Sequence, residues 1–485
     1  MKPSQFIAVL LTLTAFAISG CGGGGSSSGG GPDEGAPMIK DAKLLIEHNA
    51  TDEDTGFQGF ADGDPWNSLT IIDPNGDPIL TAIPDGGLLD FGLTEFFFET
   101  SEPENAEVPI GDVLARLSVG EYAITGLMVD AGDSSMTTQF SHEIPQGPVL
   151  LTPADESTGV DPSSVVVSWA PVTKTIDDAD ATIVGYQVIV EEDGEPLFPQ
   201  GFARALFSVH LAASATSVSI PESFFKDNAC YKYEVLAIES SGNQTLSSAA
   251  FETGTGCTGE EPPEEDTPAM KDAKLLIEHN ATDEDTGFQG FTDGDPWNEL
   301  VIRGPDGEQI LTVYPETGLF DFGLTELFFE TSEPPNEDVP ISDVLARLPE
   351  GTYTFTGDMV DGDASEITAT FSHTIPAGPQ LMTPAEGSTD VDANNTVISW
   401  QPVTQDINGS AVTIVGYQVI VEKDEEPQYP QGFAKSLFSI YLPATATSID
   451  VPPEFMESGE AYAYEVLAIE ASGNQTLSSA EFETQ

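Results

Sequence analysis

Residues 40–60 read KDAKLLIEHNATDEDTGFQGF, and residues 271–291 repeat the same letters in the same order. The offset of 231 then persists to the end of the chain. Trp66 maps to Trp297, His142 to His373, Trp169 to Trp400 and Tyr231 to Tyr462. The chain is therefore one unit written twice, and each half is an internal control for the other. A tandem array is a weak design for a single active site and a good one for multivalent binding or spacing.

Within each unit the residues read as strands. Leu44-Leu45-Ile46 leads in, Leu69-Thr70-Ile71-Ile72 runs into an Asp73-Pro74-Asn75-Gly76 turn, and Phe96-Phe97-Phe98 is a run of the buried type. Gly120 to Gly126 (GEYAITG) and Met136 to Phe140 follow. Ile110, Val113, Leu114 and Leu117 share one helical face and predict a single short helix. Further on, Val165 to Trp169 is a strand with a tryptophan, and Gly185 to Val190 and Tyr231 to Ala237 alternate with period two. Each unit divides near a Gly-Pro, at Gly147-Pro148 and Gly378-Pro379.

The segments VSWAPV, GYQVIV and YKYEVLAIESSGN, repeated as ISWQPV, GYQVIV and YAYEVLAIEASGN, resemble the fibronectin type III family over about 148–254 and 379–485. That resemblance implies a seven-stranded, two-sheet sandwich. No Arg-Gly-Asp tripeptide occurs, so integrin-type adhesion gains no support. GEYAITG and GTYTFTG look like the penultimate strand of immunoglobulin-like sandwiches. The fold class expected is all-β: a tandem repeat of two β-sandwich domains, giving four sandwiches in a row. Their bounds are 38–146, 147–255, 269–377 and 378–485, with an acidic, proline-containing linker at 256–268.

The N-terminus reads as a processing signal, residues 1–20. Phe6 to Ile18 is apolar but shorter than the roughly 20 residues a spanning helix needs. Ile18-Ser19-Gly20-Cys21 resembles the bacterial lipobox, which implies that Cys21 is lipidated and becomes the first mature residue. Residues 21–37 form a Gly/Ser tether. Gly22, just after the cysteine, lacks the aspartate that retains enteric lipoproteins at the inner membrane. By that resemblance the expected address is the outer membrane or cell surface, with the membrane as a partner through the lipid. With Cys21 lipidated, Cys230 and Cys257 remain as a disulfide pair. The second repeat has Ala461 in place of Cys230 and ends before an equivalent of Cys257.

Fourteen basic residues stand against 82 acidic ones, a net charge of −68. Such a surface repels nucleic acid and anionic lipid, which excludes DNA and RNA as partners. Salt or bound cations relieve the self-repulsion. The sharpest candidate for chemistry is the acidic stretch Asp52, Asp54, Asp62 and Asp64, repeated as Asp283, Asp285, Asp293 and Asp295. Read as one long loop, it offers four carboxylates and flexible glycines to a hard cation such as calcium. The alternative is a solvated acidic loop. Identity of the two copies here, against drift elsewhere, favours a site.

His48 and His142, and likewise His279 and His373, would meet as metal ligands only if the terminal strands paired; otherwise each caps a strand separately. Trp66 and Trp297 are either sugar-stacking or core residues. GxSxG, HExxH, P-loop and dinucleotide-binding signatures are missing. The reading is a non-enzymatic surface lipoprotein that binds a polymer or another surface protein, or serves as a spacer, with calcium as a possible stabiliser. The alternative is a secreted carbohydrate-active or other hydrolase with fibronectin-like accessory domains.

Overall fold

The computed structural model describes residues 36–193, 206–254, 267–424 and 437–485. Cys21, Cys257 and the stretches 1–35 and 255–266 lie outside the described residues.

Repeat 1 contains β1 (Ile39–Asn49), β2 (Asp54–Ile72), β3 (Pro78–Pro84), β4 (Leu93–Thr100), helix α1 (Ile110–Leu114), β5 (Gly120–Met128) and β6 (Asp133–Phe140). It continues with β7 (Val149–Thr152), β8 (Val166–Ala170), β9 (Ile183–Glu192), β10 (Leu206–Ala212), β11 (Ser217–Ser219), β12 (Cys230–Glu239) and β13 (Gln244–Glu252). Repeat 2 begins with β14 (Met270–Asn280), β15 (Asp285–Arg303), β16 (Gln309–Pro315), β17 (Leu324–Thr331), α2 (Ile341–Leu345), β18 (Gly351–Met359) and β19 (Ser365–Phe371). It ends with β20 (Gln380–Thr383), β21 (Ser388–Val391), β22 (Val397–Gln401), β23 (Ile414–Lys423), β24 (Leu437–Pro443), β25 (Ser448–Asp450), β26 (Ala461–Glu470) and β27 (Gln475–Thr484).

The fibronectin-like halves take the expected form. Strands β7, β8 and β11 make one sheet and β10, β9, β12 and β13 make the facing one. Trp169 is buried between them, with its ring 5.2 Å from Tyr186, whose hydroxyl accepts from Val172 N at 2.8 Å. The short helices also form where expected, burying Val113 and Val344.

The expectation of four sandwiches in a row is corrected. Strand β4 pairs antiparallel with β17, β3 with β16 and β10 with β24, all across repeats. Within each repeat β1 pairs parallel with β13, and β14 with β27. The pairings close a single hydrogen-bonded ring of fourteen strands: β1-β2-β4-β17-β15-β14-β27-β26-β23-β24-β10-β9-β12-β13 and back to β1. Each repeat supplies half of it, an open arc whose two edge strands, β4 and β10 or β17 and β24, are unpaired until the other half arrives. An unpaired edge exposes a row of N–H and C=O groups, and closure of the ring pairs it. A strand's period shows which face it buries but not which remote edge it meets, so this closure was invisible in the sequence.

An outer sheet, β6-β5-β2-β3-β16-β15-β18-β19, covers one side of the ring. Strands β2 and β15 belong to both layers, crossing from one to the other at Gly63-Asp64-Pro65 and Gly294-Asp295-Pro296. The pairing register jumps there from Asp62 to Trp66 and from Asp293 to Trp297. Proline lacks the donor a ladder needs. A Cβ on Gly63 would sit 2.7 Å from Met38 O, so only glycine lets the two backbones approach this closely.

Both N-terminal domains share one core between ring and outer sheet. Phe57 packs 5.9 Å from Phe322 and Phe91 5.9 Å from Phe288, each across the repeats. Arg116 stacks over Phe322 at 4.4 Å and Arg347 over Phe91 at 4.9 Å. The two fibronectin-like domains share a second core through Phe207 and Phe438, 5.6 Å apart.

Candidate functional site

The two aspartate pairs of the acidic stretch are not assembled into one loop. Asp52 lies in the β1–β2 turn, where Asn49 Nδ2 donates to its Oδ2 at 2.9 Å, and Asp54 starts β2 opposite Asn49. Glu53 closes the turn at a φ of +58°. Asp62 and Asp64 lie eight and ten positions beyond Asp54 along extended backbone, so the two pairs are about 26 Å apart at 3.3 Å per residue. Asp64 accepts from Met38 N at 3.0 Å and pairs with Lys40 at 2.7 Å, fastening the start of β1. Asp283, Asp285, Asp293 and Asp295 repeat the arrangement, with Asp283 held by Asn280 and Asp295 by Lys271. What reads as a loop is a hairpin followed by a strand crossing. Among the described residues no group of three or more His, Cys, Asp or Glu side chains is arranged to hold a metal ion.

The histidines do not meet either. His48 Nδ1 contacts Asp54 O at 2.8 Å and Thr55 Oγ1 at 2.9 Å, while His142 Nε2 contacts Leu117 O at 2.9 Å. His279 and His373 repeat those contacts. Trp66 and Trp297 are fully buried core residues. Cys230, at the start of β12, is disulfide-bonded.

The unusual chemistry sits inside the ring. Cβ atoms alternate across a strand, so each ring strand turns one face to a core and the other inward. On β4 the core face is Phe96 and Phe98, which leaves Glu95, Phe97 and Glu99 inward; on β17 the inward set is Glu326, Phe328 and Glu330. The ladder sets these side by side in three rows. The middle row runs Lys43, Phe60, Phe97, Phe328, Phe291, Lys274, with each lysine over its neighbouring ring at 5.0 and 4.8 Å. One flanking row runs Asp62, Glu95, Glu330, Gln289 and the other Gln58, Glu99, Glu326, Asp293.

Glu95 thus faces Glu330, and Glu99 faces Glu326, directly across the seam between repeats. Opposite residues in an antiparallel pair have Cβ atoms about 5 Å apart, and like charges there repel. Glu95 is 2% exposed and Glu326 1%, and Oε1 of each has no hydrogen-bond partner. Burial, and then the Glu330 carboxylate, push the Glu95 carboxyl well above its usual range; burial, and then Glu99, do the same to Glu326.

A polar relay joins this field to the opposite wall of the ring. Gln58 Nε2 donates to Glu99 Oε2 at 3.0 Å, Gln244 Nε2 donates to Gln58 Oε1 at 3.3 Å, and Gln244 Nε2 also donates to Glu47. The second copy runs Glu330, Gln289, Gln475, Glu278 with distances of 2.9 and 3.2 Å and the same short last contact. Burial raises Glu47 to about 8 and Glu278 to about 7. Burial also raises Asp54 and Asp285 to about 7, and Asp62 and Asp293 to about 6. The opposite wall adds Lys232, 2.9 Å from Glu234, and His210, which burial lowers to about 4. Burial in this interior thus favours the protonated form of these carboxyls.

Asn243 fastens the two domains of repeat 1. Its Oδ1 accepts from Ile46 N at 2.8 Å and its Nδ2 donates to Ser141 O and Glu143 O at 3.0 and 2.9 Å. Asn474 does the same in repeat 2. Sequence reasoning passed over Glu47, Gln58, Glu95, Glu99, Asn243 and Gln244. The available signal was the alternation Glu-Phe-Phe-Phe-Glu on β4, kept as Glu-Leu-Phe-Phe-Glu on β17, in which glutamates share a face with a phenylalanine.

No family model matches the chain, and no curated protein matches it. Several solved structures do. One comes from a 1.5-MDa bacterial ice-binding adhesin, at 14% identity over 71% of this chain and 99% of that one, with a TM-score of 0.16. A tetra-tandem repeat from the extending region of a large adhesion protein matches at 13% identity over 92% of this chain and 99% of that one, TM-score 0.16. The FN1–FN3 domains of chicken CNTN1 match at 13% identity over 70% of this chain and 99% of that one, TM-score 0.17. At such scores these likenesses carry no argument about function.

Proposed function

We propose that the chain is a non-enzymatic, lipid-anchored cell-surface protein whose folded body serves binding or spacing. The observation that carries this reading is the employment of the polar residues shared by both copies. Glu47, Gln58, Glu99 and Gln244, with their counterparts, are spent on holding layers together inside the ring. Asp64 and Asn243 hold strand ends and domain junctions. The lipobox-like Cys21 and the Gly/Ser tether support the membrane address, and the −68 charge supports a partner that is neutral or cationic and not nucleic acid. The partner is a surface polymer or another surface protein.

Fatty-acid labelling and fractionation of cells making the parent and Cys21→Ser test the anchor. The parent incorporates label and sediments with membranes, and Cys21→Ser does neither; membrane recovery of Cys21→Ser equal to the parent's would end the lipoprotein reading. Incubation of the purified body with polysaccharides and esters tests the rest. Turnover abolished by Glu95→Gln or Asp54→Asn would replace the binding reading with a hydrolase.

A further inference from the structure

The three strand pairings that join the repeats share a property that simple adjacency does not require. In β4–β17, Phe97 faces Phe328, its own counterpart in the other copy; Glu95 faces Glu330, the counterpart of Glu99, and Glu99 faces Glu326, the counterpart of Glu95. In β3–β16, Ala82 faces Val313, again its counterpart, with Leu80 opposite Pro315 and Pro84 opposite Leu311. In β10–β24, Ser208 faces its counterpart Ser439, Phe207 faces Ile440 and Val209 faces Phe438. Every pairing is thus self-complementary about its own midpoint, which is the definition of an isologous contact between two copies of one surface.

The packing around the strands obeys the same symmetry. Arg116 lies over Phe322 and Arg347 over Phe91. A Cβ on Gly87 would lie 1.9 Å from Arg347 O, and one on Gly318 would lie 2.1 Å from Arg116 O. Most of the residues that meet at the seam are the same or similar in both repeats, although Ile83 becomes Tyr314 and Gly86 becomes Thr317. Phe97, Phe91, Arg116, Gly87 and Ser208 are unchanged, and Ala82 becomes Val313. A repeat therefore presents to its neighbour a surface that its own duplicate also fits.

We infer that the repeat is a homotypic pairing unit, and that a repeat of one chain can close its ring with a repeat of a second copy of this chain. The intact chain closes on itself first, because its two halves are tethered and meet at high effective concentration. Where chains are crowded, the same edges close between molecules, repeat 1 with repeat 1 as well as repeat 1 with repeat 2, by exchange of equivalent elements. The partner recognised is thus another molecule of this protein. The inference stands on strand register and is independent of the lipid anchor.

Cysteine pairing at the β10–β24 midpoint reads this directly, because facing residues of an antiparallel pair are close enough for a disulfide. In soluble chains carrying Cys21→Ser with the native disulfide intact, Ser208→Cys/Ser439→Cys joins the halves within one chain, which shows that the ring forms in the variant. Chains carrying Ser208→Cys alone have no internal partner. Unfolded without reductant, refolded at increasing concentration and then oxidised, they give a two-chain species whose peptide map joins position 208 of one chain to position 208 of the other. Its fraction rises with concentration, and Gly87→Trp lowers it severalfold. If the double variant closes internally while Ser208→Cys alone stays single-chain at every concentration, or joins chains through other positions only, the homotypic inference is wrong.

Discussion

The hairpin at 40–60 is identical in both repeats, whereas residues 150–170 (LLTPADESTGVDPSSVVVSWA) have drifted to LMTPAEGSTDVDANNTVISWQ at 381–401 in the second copy. The structure gives the two regions opposite environments. From Ala42 to Asn49 every residue is enclosed, and Thr55 to Ala61 is enclosed throughout, because β1 and β2 have a core on one face and the ring interior on the other. Strand β7 is mostly exposed, and β8 buries only alternate residues. Being buried on both faces constrains every position, and burial on one face constrains every second position. Sequence identity between copies here marks double burial, and a metal loop is not needed to explain it.

The sharpest way to break that comparison is to add volume on the doubly buried side. A Cβ on Gly59 would lie 2.1 Å from the Phe98 ring, and on Gly290 2.2 Å from Phe329. Gly59→Val is expected to cost about 3 kcal/mol or more and to abolish a cooperative melt. Val166→Thr, on the exposed side of β8, is expected to stay within about 0.5 kcal/mol of the parent. Similar losses for the two, measured by denaturant titration, would remove the burial explanation.

A smaller loss follows from cutting the relay. Gln58→Ala leaves Glu99 and Gln244 without their shared partner in the ring interior, at a cost of about 2–3 kcal/mol. Gln289→Ala is expected to cost the same within error, because its relay is a copy. Clearly unequal costs would show that the repeats are not energetically equivalent.

The pH dependence is gentler. Glu47 near 8 and Glu278, Asp54 and Asp285 near 7 hold protons in the folded chain that the unfolded chain releases at ordinary carboxylate values. Folded pKa values above unfolded ones mean that stability is full below about pH 4 and is lost as pH rises through 7 to 8. Tm is expected to fall by on the order of 5–10 °C between pH 5 and pH 8, and Glu47→Gln should flatten that slope. A Tm that rises over this interval would contradict the buried, protonated interior.

The smallest effect concerns cations. Because the aspartate pairs lie far apart, millimolar calcium should raise Tm no more than sodium chloride of matched ionic strength, in the parent and in Asp52→Asn/Asp54→Asn alike. A calcium-only gain lost in the double variant would restore a specific site.

Much of the fold was legible because its determinants are local. Val165 to Trp169, Gly185 to Val190 and Tyr231 to Ala237 showed their period, and Ile110 to Leu117 its helical face. The ring was not legible. Nothing in Pro78 to Pro84 or Leu93 to Thr100 says that these strands hydrogen-bond to residues more than 200 positions away. The acidic stretch misled for a related reason. Gly63, Asp64 and Pro65 carry the composition of a loop, yet here they turn one long strand from layer to layer, and Asp54 and Asp62 are drawn into the interior by the strands beside them. The histidines were better served by the plain alternative, in which each is held separately.

One consequence of β1's position is mechanical. It is the first strand among the described residues, and it is laced to β2 by ten register pairs from Ile39 to Asn49 and to β13 by three more. Ladder hydrogen bonds lie across the strands, so a pull along β1 from residue 36 loads them all together in shear instead of peeling them one at a time. Drag on the body would arrive first at this most enclosed hairpin. Single-molecule extension from that end should then show one abrupt, high-force rupture and no gradual unzipping.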